Sequence, residues 1–219
     1  MKVYITALLL GISGIIPFHA QETLPKSFLK TGYIVFEEIH GDLNNDGIND
    51  CVLIVKGTDS SKVVINRFDE EVDRNRRGIV ILIKKNQQFE LFLENYDCFY
   101  SENEDGGVYF PPELSTSIIN QKLYFDFTHG RYGFWKYTFR IKNKDFELIG
   151  YDASNNFGPV INKETSINYL TKKRLTKENI NQNSEGGDEI FEETWSKVEI
   201  EELIKLSEIE DFYELNIAE

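Results

Sequence analysis

The chain has 219 residues, with 37 Asp and Glu against 24 Lys and Arg, for a formal net charge of −13. An acid excess of this size repels phosphate backbones and anionic lipid, which argues against nucleic acid and membrane surfaces as partners. The length suits one domain with a proper hydrophobic core, and no shift in composition marks a second.

Residues 1–20 read MKVYITALLLGISGIIPFHA. One charge (Lys2), an apolar centre and a small residue (Ala20) before the polar QETLPKS are the anatomy of a secretory signal peptide. The apolar run is short for a bilayer span, which takes ~20 residues, and no later stretch is apolar enough to cross. The expected mature chain is 21–219, periplasmic or secreted, with no membrane insertion after cleavage.

The strands announce themselves by a period of two and by apolar runs between turn residues. "GYIVFEEI" and "CVLIV" flank an acidic loop. "GIVILIKK", the turn "NQQ" and "FELFLENY" predict a hairpin. "KLYFDF" places Leu123, Phe125 and Phe127 on one face. "WKYTFRI" sets Trp135, Tyr137, Phe139 and Ile141 inward and leaves Lys136, Thr138 and Arg140 wetter. "NKD" then turns the chain into "FELIGYD". "SINYL" and "WSKVEI" read as later strands, and the polar "TKENINQNSEGGDE" between them as a mobile excursion. "SEIEDFYEL" has Ser207 with Glu210 three places later, a capping-box pattern that predicts a short C-terminal helix. The expected fold class is mainly β: an antiparallel β-sandwich or open barrel-like sheet with a short C-terminal helix. Export would permit a disulfide between Cys51 and Cys98; the alternative is that Cys51, opening an apolar strand, is a small buried side chain.

The loop is the most informative stretch. In "GDLNNDGINDCVLIV", counted from Asp42, positions one, three and five are Asp42, Asn44 and Asp46, six is Gly47, seven is Ile48 and nine is Asp50. Calcium takes roughly six to eight oxygens, and alternate side chains of a tight loop converge on one point. Glycine at position six permits the sharp turn. Ile48 would offer its carbonyl oxygen. Position twelve is Leu53 rather than glutamate and the flanks are strand-like, so this is not an EF-hand. The competing reading is an Asx-rich turn that satisfies its own backbone.

This stretch looks like the calcium loop of FG-GAP and VCBS-type repeats, which joins two strands of a propeller blade. The pattern occurs once, whereas a propeller needs several blades. Together with "DRNRRGIVIL", "SENEDGGVYF" and "RYGFWKYTFRIKNKDFELIGYDAS", it resembles exported proteins of Bacteroidetes-type bacteria over most of the mature chain. The resemblance implies an exported β domain with one acidic loop, and transfers ligand roles to Asp42, Asn44, Asp46, Ile48 and Asp50. It transfers no catalytic residue.

His40 and His129 are the only histidines after residue 20, which excludes a multi-histidine zinc site. No G-x-S-x-G elbow, Walker loop or dinucleotide fingerprint is present. In "FDFTHGRYG", Asp126, His129 and Arg131 could meet in a pocket, or the glycines could simply bound a turn. "SENEDGGVYFPPEL" and "HGRYGFW" bring Tyr109, Phe110, His129, Arg131 and Tyr132 into loops where aromatics suit stacking on sugar rings or on a protein. The leading expectation is an exported, non-catalytic calcium-binding module that engages a protein or glycan partner. The alternative is a calcium-stabilised hydrolase of cell-envelope or dietary polymers.

Overall fold

The computed structural model describes residues 25–105, 110–215 and 217. The signal-peptide reading (1–20) and Tyr109 fall outside the described residues.

Strands β1 (Tyr33–Gly41), β2 (Asp50–Gly57), β5 (Arg77–Lys85) and β6 (Gln88–Phe99) form a four-stranded sheet in the order β1-β2-β5-β6. A ribbon of β3 (Val63–Ile65) and β4 (Glu71–Asp73) interrupts it between β2 and β5. Seven further strands follow in spatial as well as chain order: β7 (Glu113–Ile119), β8 (Lys122–Thr128), β9 (Gly133–Lys142), β10 (Asp145–Phe157), β11 (Val160–Asn168), β12 (Lys173–Asn179) and β13 (Phe191–Lys197). Neighbours within each sheet pair antiparallel. The mainly β, antiparallel fold expected from the sequence, a sandwich or open sheet, is the fold observed.

Local chemistry explains the hairpins. Asn86–Gln87, Asn120–Gln121 and Asn143–Lys144 all have positive φ at both residues, the backbone of a type I′ turn, which Asn tolerates and which matches the twist of the flanking strands. Each sits inside a two-residue connection, with Lys85 opposite Gln88, Ile119 opposite Lys122 and Lys142 opposite Asp145.

The sheets face each other across one core. Val52, Ile54, Ile79, Ile81 and Leu93 from the smaller sheet pack with Leu123, Phe125, Phe127, Tyr137, Phe139 and Leu148 from the larger one. The predicted inward face of β9 holds: Tyr137 and Phe139 are buried, with Trp135 and Ile141 packed against the core. Of the side chains expected to be wetter, Thr138 is buried, opposite Gly150. The outer face of the smaller sheet carries a second cluster, Cys51, Leu53, Val55, Val80, Leu82, Phe89 and Tyr96, covered by Phe28, Leu29, Tyr33 and Val35. Strands β2 and β5 are therefore buried on both faces, and their sequences are continuous apolar runs rather than alternations.

One alternative left open by the sequence is decided, in favour of a small buried Cys51, and two expectations need correction. Cys51 and Cys98 are both free and buried. They belong to clusters on opposite faces of the smaller sheet, so the sheet itself lies between them and no bridge can close. "TKENINQNSEGGDE" is not all excursion: its first residues belong to β12, held between β11 and β13 with Lys163–Glu178 and Lys177–Glu193 ion pairs at 3.4 and 3.3 Å. Strand polarity here reflects position, since β12 and β13 contribute no residue to the buried core. Finally, the C-terminal stretch makes one 3₁₀ turn, Leu206–Glu208, and no α-helix. Ser207 bonds through its hydroxyl to Asp145 at 2.5 Å rather than capping. Leu206, Ile209 and Phe212 are drawn into the core instead. The backbone follows them: Phe212 N donates to Cys98 O at 3.0 Å, and Asn95 Nδ2 donates to the carbonyls of Leu206 and Ile209. Burial of these side chains outweighs local helix propensity, which is a weak preference.

Candidate functional site

The acidic loop hangs from the neck of the β1–β2 hairpin, where Gly41 pairs with Asp50. Its side chains fold back on its own backbone. Asp42 accepts Asn45 N through Oδ1 at 2.6 Å and Gly47 N through Oδ2 at 2.9 Å. Asn44 Oδ1 accepts Asp46 N at 2.9 Å, and Asp46 Oδ1 accepts Ile48 N at 2.8 Å. Asn44 Nδ2 donates to Asp46 Oδ2 at 2.9 Å. Gly47 has φ +81° in open space, so glycine is needed there for backbone conformation and not for room.

Asp50 differs from the rest. It is fully buried, and its two carboxylate oxygens accept Leu43 N and Lys84 N, both at 2.9 Å. Leu43 is itself a buried core residue. Asp50 thus ties the loop to the core on one side and to β5 on the other. Burial raises its carboxyl above the ordinary aspartate range; the two N–H donors oppose this, and the charges of Asp46 and Asp42 add to it.

The loop satisfies its own backbone, as an Asx-rich turn does. An ionised carboxylate offers about four lone-pair sites, and the N–H donors use only part of them. Asp42, Asp46 and Asp50 are not drawn to within 4.8 Å of one another, however. Among the described residues one trio of His, Cys, Asp or Glu is: Glu38, His40 and Cys51. Sequence reasoning passed over these three, although two of them stand at the mouth of the loop.

The second candidate region is assembled from two loops. Phe110, His129, Arg131 and Tyr132 line an open pocket of about 380 Å³ together with Pro111, Glu113 and Thr128. His129 Nε2 lies 3.1 Å from the Phe110 carbonyl, which joins the two loops. The His129 and Tyr132 rings lie 5.1 Å apart, across a 3₁₀ turn over Gly130–Tyr132. Phe110 is 87% exposed.

The chain matches no family model, no curated protein and no solved structure.

Geometry and chemistry therefore carry the functional reading. Asp126, grouped with His129 and Arg131 by sequence, does not line their pocket. It sits across from Lys136 on the face of the larger sheet that turns away from the core. Burial raises its carboxyl, against the pull of Lys136. Trp135 faces inward and stacks on Phe127 at 5.2 Å. Among the described residues no helix is long and apolar enough to cross a membrane.

Proposed function

We propose that this chain is an exported, non-catalytic calcium-binding β module that engages a protein or glycan partner. The observation that carries the reading is the 42–50 loop, whose oxygen-bearing side chains alternate along a tight turn and whose last acid, Asp50, is buried at its neck. Calcium is the cation suited to such a set, because it accepts many oxygens in a flexible shell. Asp42, Asn44, Asp46 and Asp50 would supply side-chain oxygens and Ile48 its carbonyl. The role is structural: the cation neutralises acids that repel one another and locks the hairpin. Export rests on the first twenty residues, and an exported protein meets calcium at concentrations that fill even weak sites.

The partner surface is the pocket of Phe110, His129, Arg131 and Tyr132, where exposed rings can stack on a sugar or a side chain. Tyr109 belongs to the same loop by sequence. The hydrolase alternative has less support, since Glu113 is the sole carboxylate among the described residues lining this pocket, and glycoside cleavage uses two.

Calorimetry with and without calcium tests the reading. A ligand that binds only the folded state stabilises it by ~2.7 kcal/mol at a hundredfold excess over its dissociation constant. The melting temperature should rise with calcium and fall with chelator, and Asp46→Ala should blunt that response while the fold still forms. An unchanged melting curve at millimolar calcium, with no heat of binding, would leave the loop as an Asx-rich turn. For the partner, Phe110→Ala and Tyr132→Ala should weaken binding to any glycan or peptide that the intact chain retains; equal binding by both variants would move the surface elsewhere.

A further inference from the structure

The trio at the loop neck has a chemistry that calcium does not use. His40 pairs directly with Cys51 across β1 and β2, and Glu38 lies two residues before His40, opposite Leu53. One ligand atom from each of Glu38, His40 and Cys51 comes within 4.8 Å of the other two. Glu38 Oε1 and His40 Nε2 already stand 2.9 Å apart. The convergence depends on a β-bulge between Val35 and Glu37. Before the bulge the register pairs Tyr33 with Gly57 and Val35 with Val55; continued unbroken, it would set Ile39 opposite Cys51. The extra residue, Phe36, shifts the strand by one place and turns Glu38 and His40 onto the face that holds the thiol.

The thiol is placed for a ligand role in two respects. Cys98 satisfies its thiol on Asn95 O at 3.7 Å; Cys51 donates no hydrogen bond among the described residues. The Cys51 side chain is also fully buried, yet its sulfur lies within 4.8 Å of a ligand atom from each of the two side chains with which it would share a metal. Glu38 and His40 are 42% and 45% exposed, so both can adjust at little cost, and exposed pairs such as theirs contribute little to stability.

We propose that Glu38, His40 and Cys51 form a zinc-class divalent metal site, distinct from the acidic loop. Thiolate, imidazole and carboxylate are the three ligand types that zinc accepts, at about 2.0–2.3 Å each. Tetrahedral geometry at those lengths separates neighbouring donors by roughly 3.3–3.8 Å, so the Glu38–His40 contact of 2.9 Å must open slightly and separations of up to 4.8 Å must close for the shell to form. Solvent takes the fourth position. As the metal–sulfur bond forms, the Cys51 proton leaves to water, and the imidazole binds in its neutral form. The ligand types exclude calcium, a hard ion that takes oxygen. A metal here would pin β1 to β2 one pair below Gly41 and Asp50, at the base of the loop.

Cobalt(II) is the direct probe, because a thiolate ligand gives a near-ultraviolet charge-transfer band and tetrahedral geometry gives strong visible bands. The full chain, with both thiols reduced by a non-chelating phosphine, should bind one equivalent of cobalt with both signatures, and zinc should displace it. Cys51→Ser should abolish the charge-transfer band, and Cys98→Ser should leave it. Loss of a group that merely hydrogen-bonds a metal ligand weakens metal sites by about 10–100-fold, so His40→Ala and Glu38→Gln, which remove ligands at exposed positions, should each weaken cobalt binding at least about tenfold. Excess calcium and Asp46→Ala should leave the band unchanged, which separates this site from the loop. No charge-transfer band in the intact chain would overturn the proposal. So would a band that survives in Cys51→Ser, or wild-type affinity in both His40→Ala and Glu38→Gln; these last two variants decide the matter if circular dichroism shows Cys51→Ser to be unfolded.

Discussion

Replacing Asp50 with Ala should destabilise the chain even in the absence of any metal. The carboxylate is fully buried and is the acceptor for two backbone donors, Leu43 N and Lys84 N, each at 2.9 Å. Alanine would leave both without that partner. An unsatisfied buried donor costs ~1–3 kcal/mol. Two of them would cost more than this, but Asp50 also bears a desolvation penalty, seen in its raised carboxyl, and that penalty disappears with the side chain. The two effects leave an expected loss of about 2–4 kcal/mol. Asp50→Asn should fall between, because its oxygen can accept from one N–H while its amide nitrogen faces the other. Urea unfolding in excess chelator isolates this contribution from metal binding, and an unchanged slope would show that the unfolded state is not the cause. A loss below about 1 kcal/mol for Asp50→Ala in chelator would refute the reasoning, and would mean that neighbouring groups or water satisfy Leu43 and Lys84 without the carboxylate.

Three other outcomes are expected. Phe212 is enclosed by Phe99, Phe125 and Tyr137 at ring separations of 4.6, 5.2 and 5.2 Å, so Phe212→Ala should cost ~3–5 kcal/mol in denaturant unfolding; a small loss would show that the C-terminal segment is not part of the cooperative core. The raised carboxyl of Asp126 stabilises the fold most where it is protonated in both states, below about pH 4, and loses that contribution as pH rises through its folded value. The stability of the intact chain relative to Asp126→Asn should therefore fall between about pH 4 and neutrality, and a difference independent of pH would contradict this. Burial raises the thiols of Cys51, to about 12, and of Cys98, so a thiol reagent at neutral pH should modify both slowly in the native chain and quickly in denaturant; one fast native thiol would show that its cover opens.

Much of this protein was legible in the sequence because much of it is built from local rules. An Asn in each of three two-residue turns sets a hairpin without help from the rest of the chain. The alternation of "WKYTFRI" fixes which side of β9 is apolar, and the unbroken "CVLIV" and "GIVILI" runs suit strands buried on both faces. The spacing of Asp42, Asn44, Asp46 and Gly47 likewise dictates a self-bonded turn, since the bonds made by the Asp42, Asn44 and Asp46 side chains span five residues or fewer. Tertiary structure decided what depends on partners far away. Cys51 and Cys98 were separated by the face each strand presents once paired. "SEIEDFYEL" gave up a helix because Leu206, Ile209 and Phe212 gain more by filling the space between the sheets. Four of the five residues assigned to a ligand surface line one pocket only because β7, β8 and β9 lie side by side, which brings Phe110 to His129. Glu38, His40 and Cys51 meet through a one-residue bulge in β1. A shift of one residue exchanges the two faces of a strand, and composition or periodicity within a single strand carries no record of where its partner's register slips.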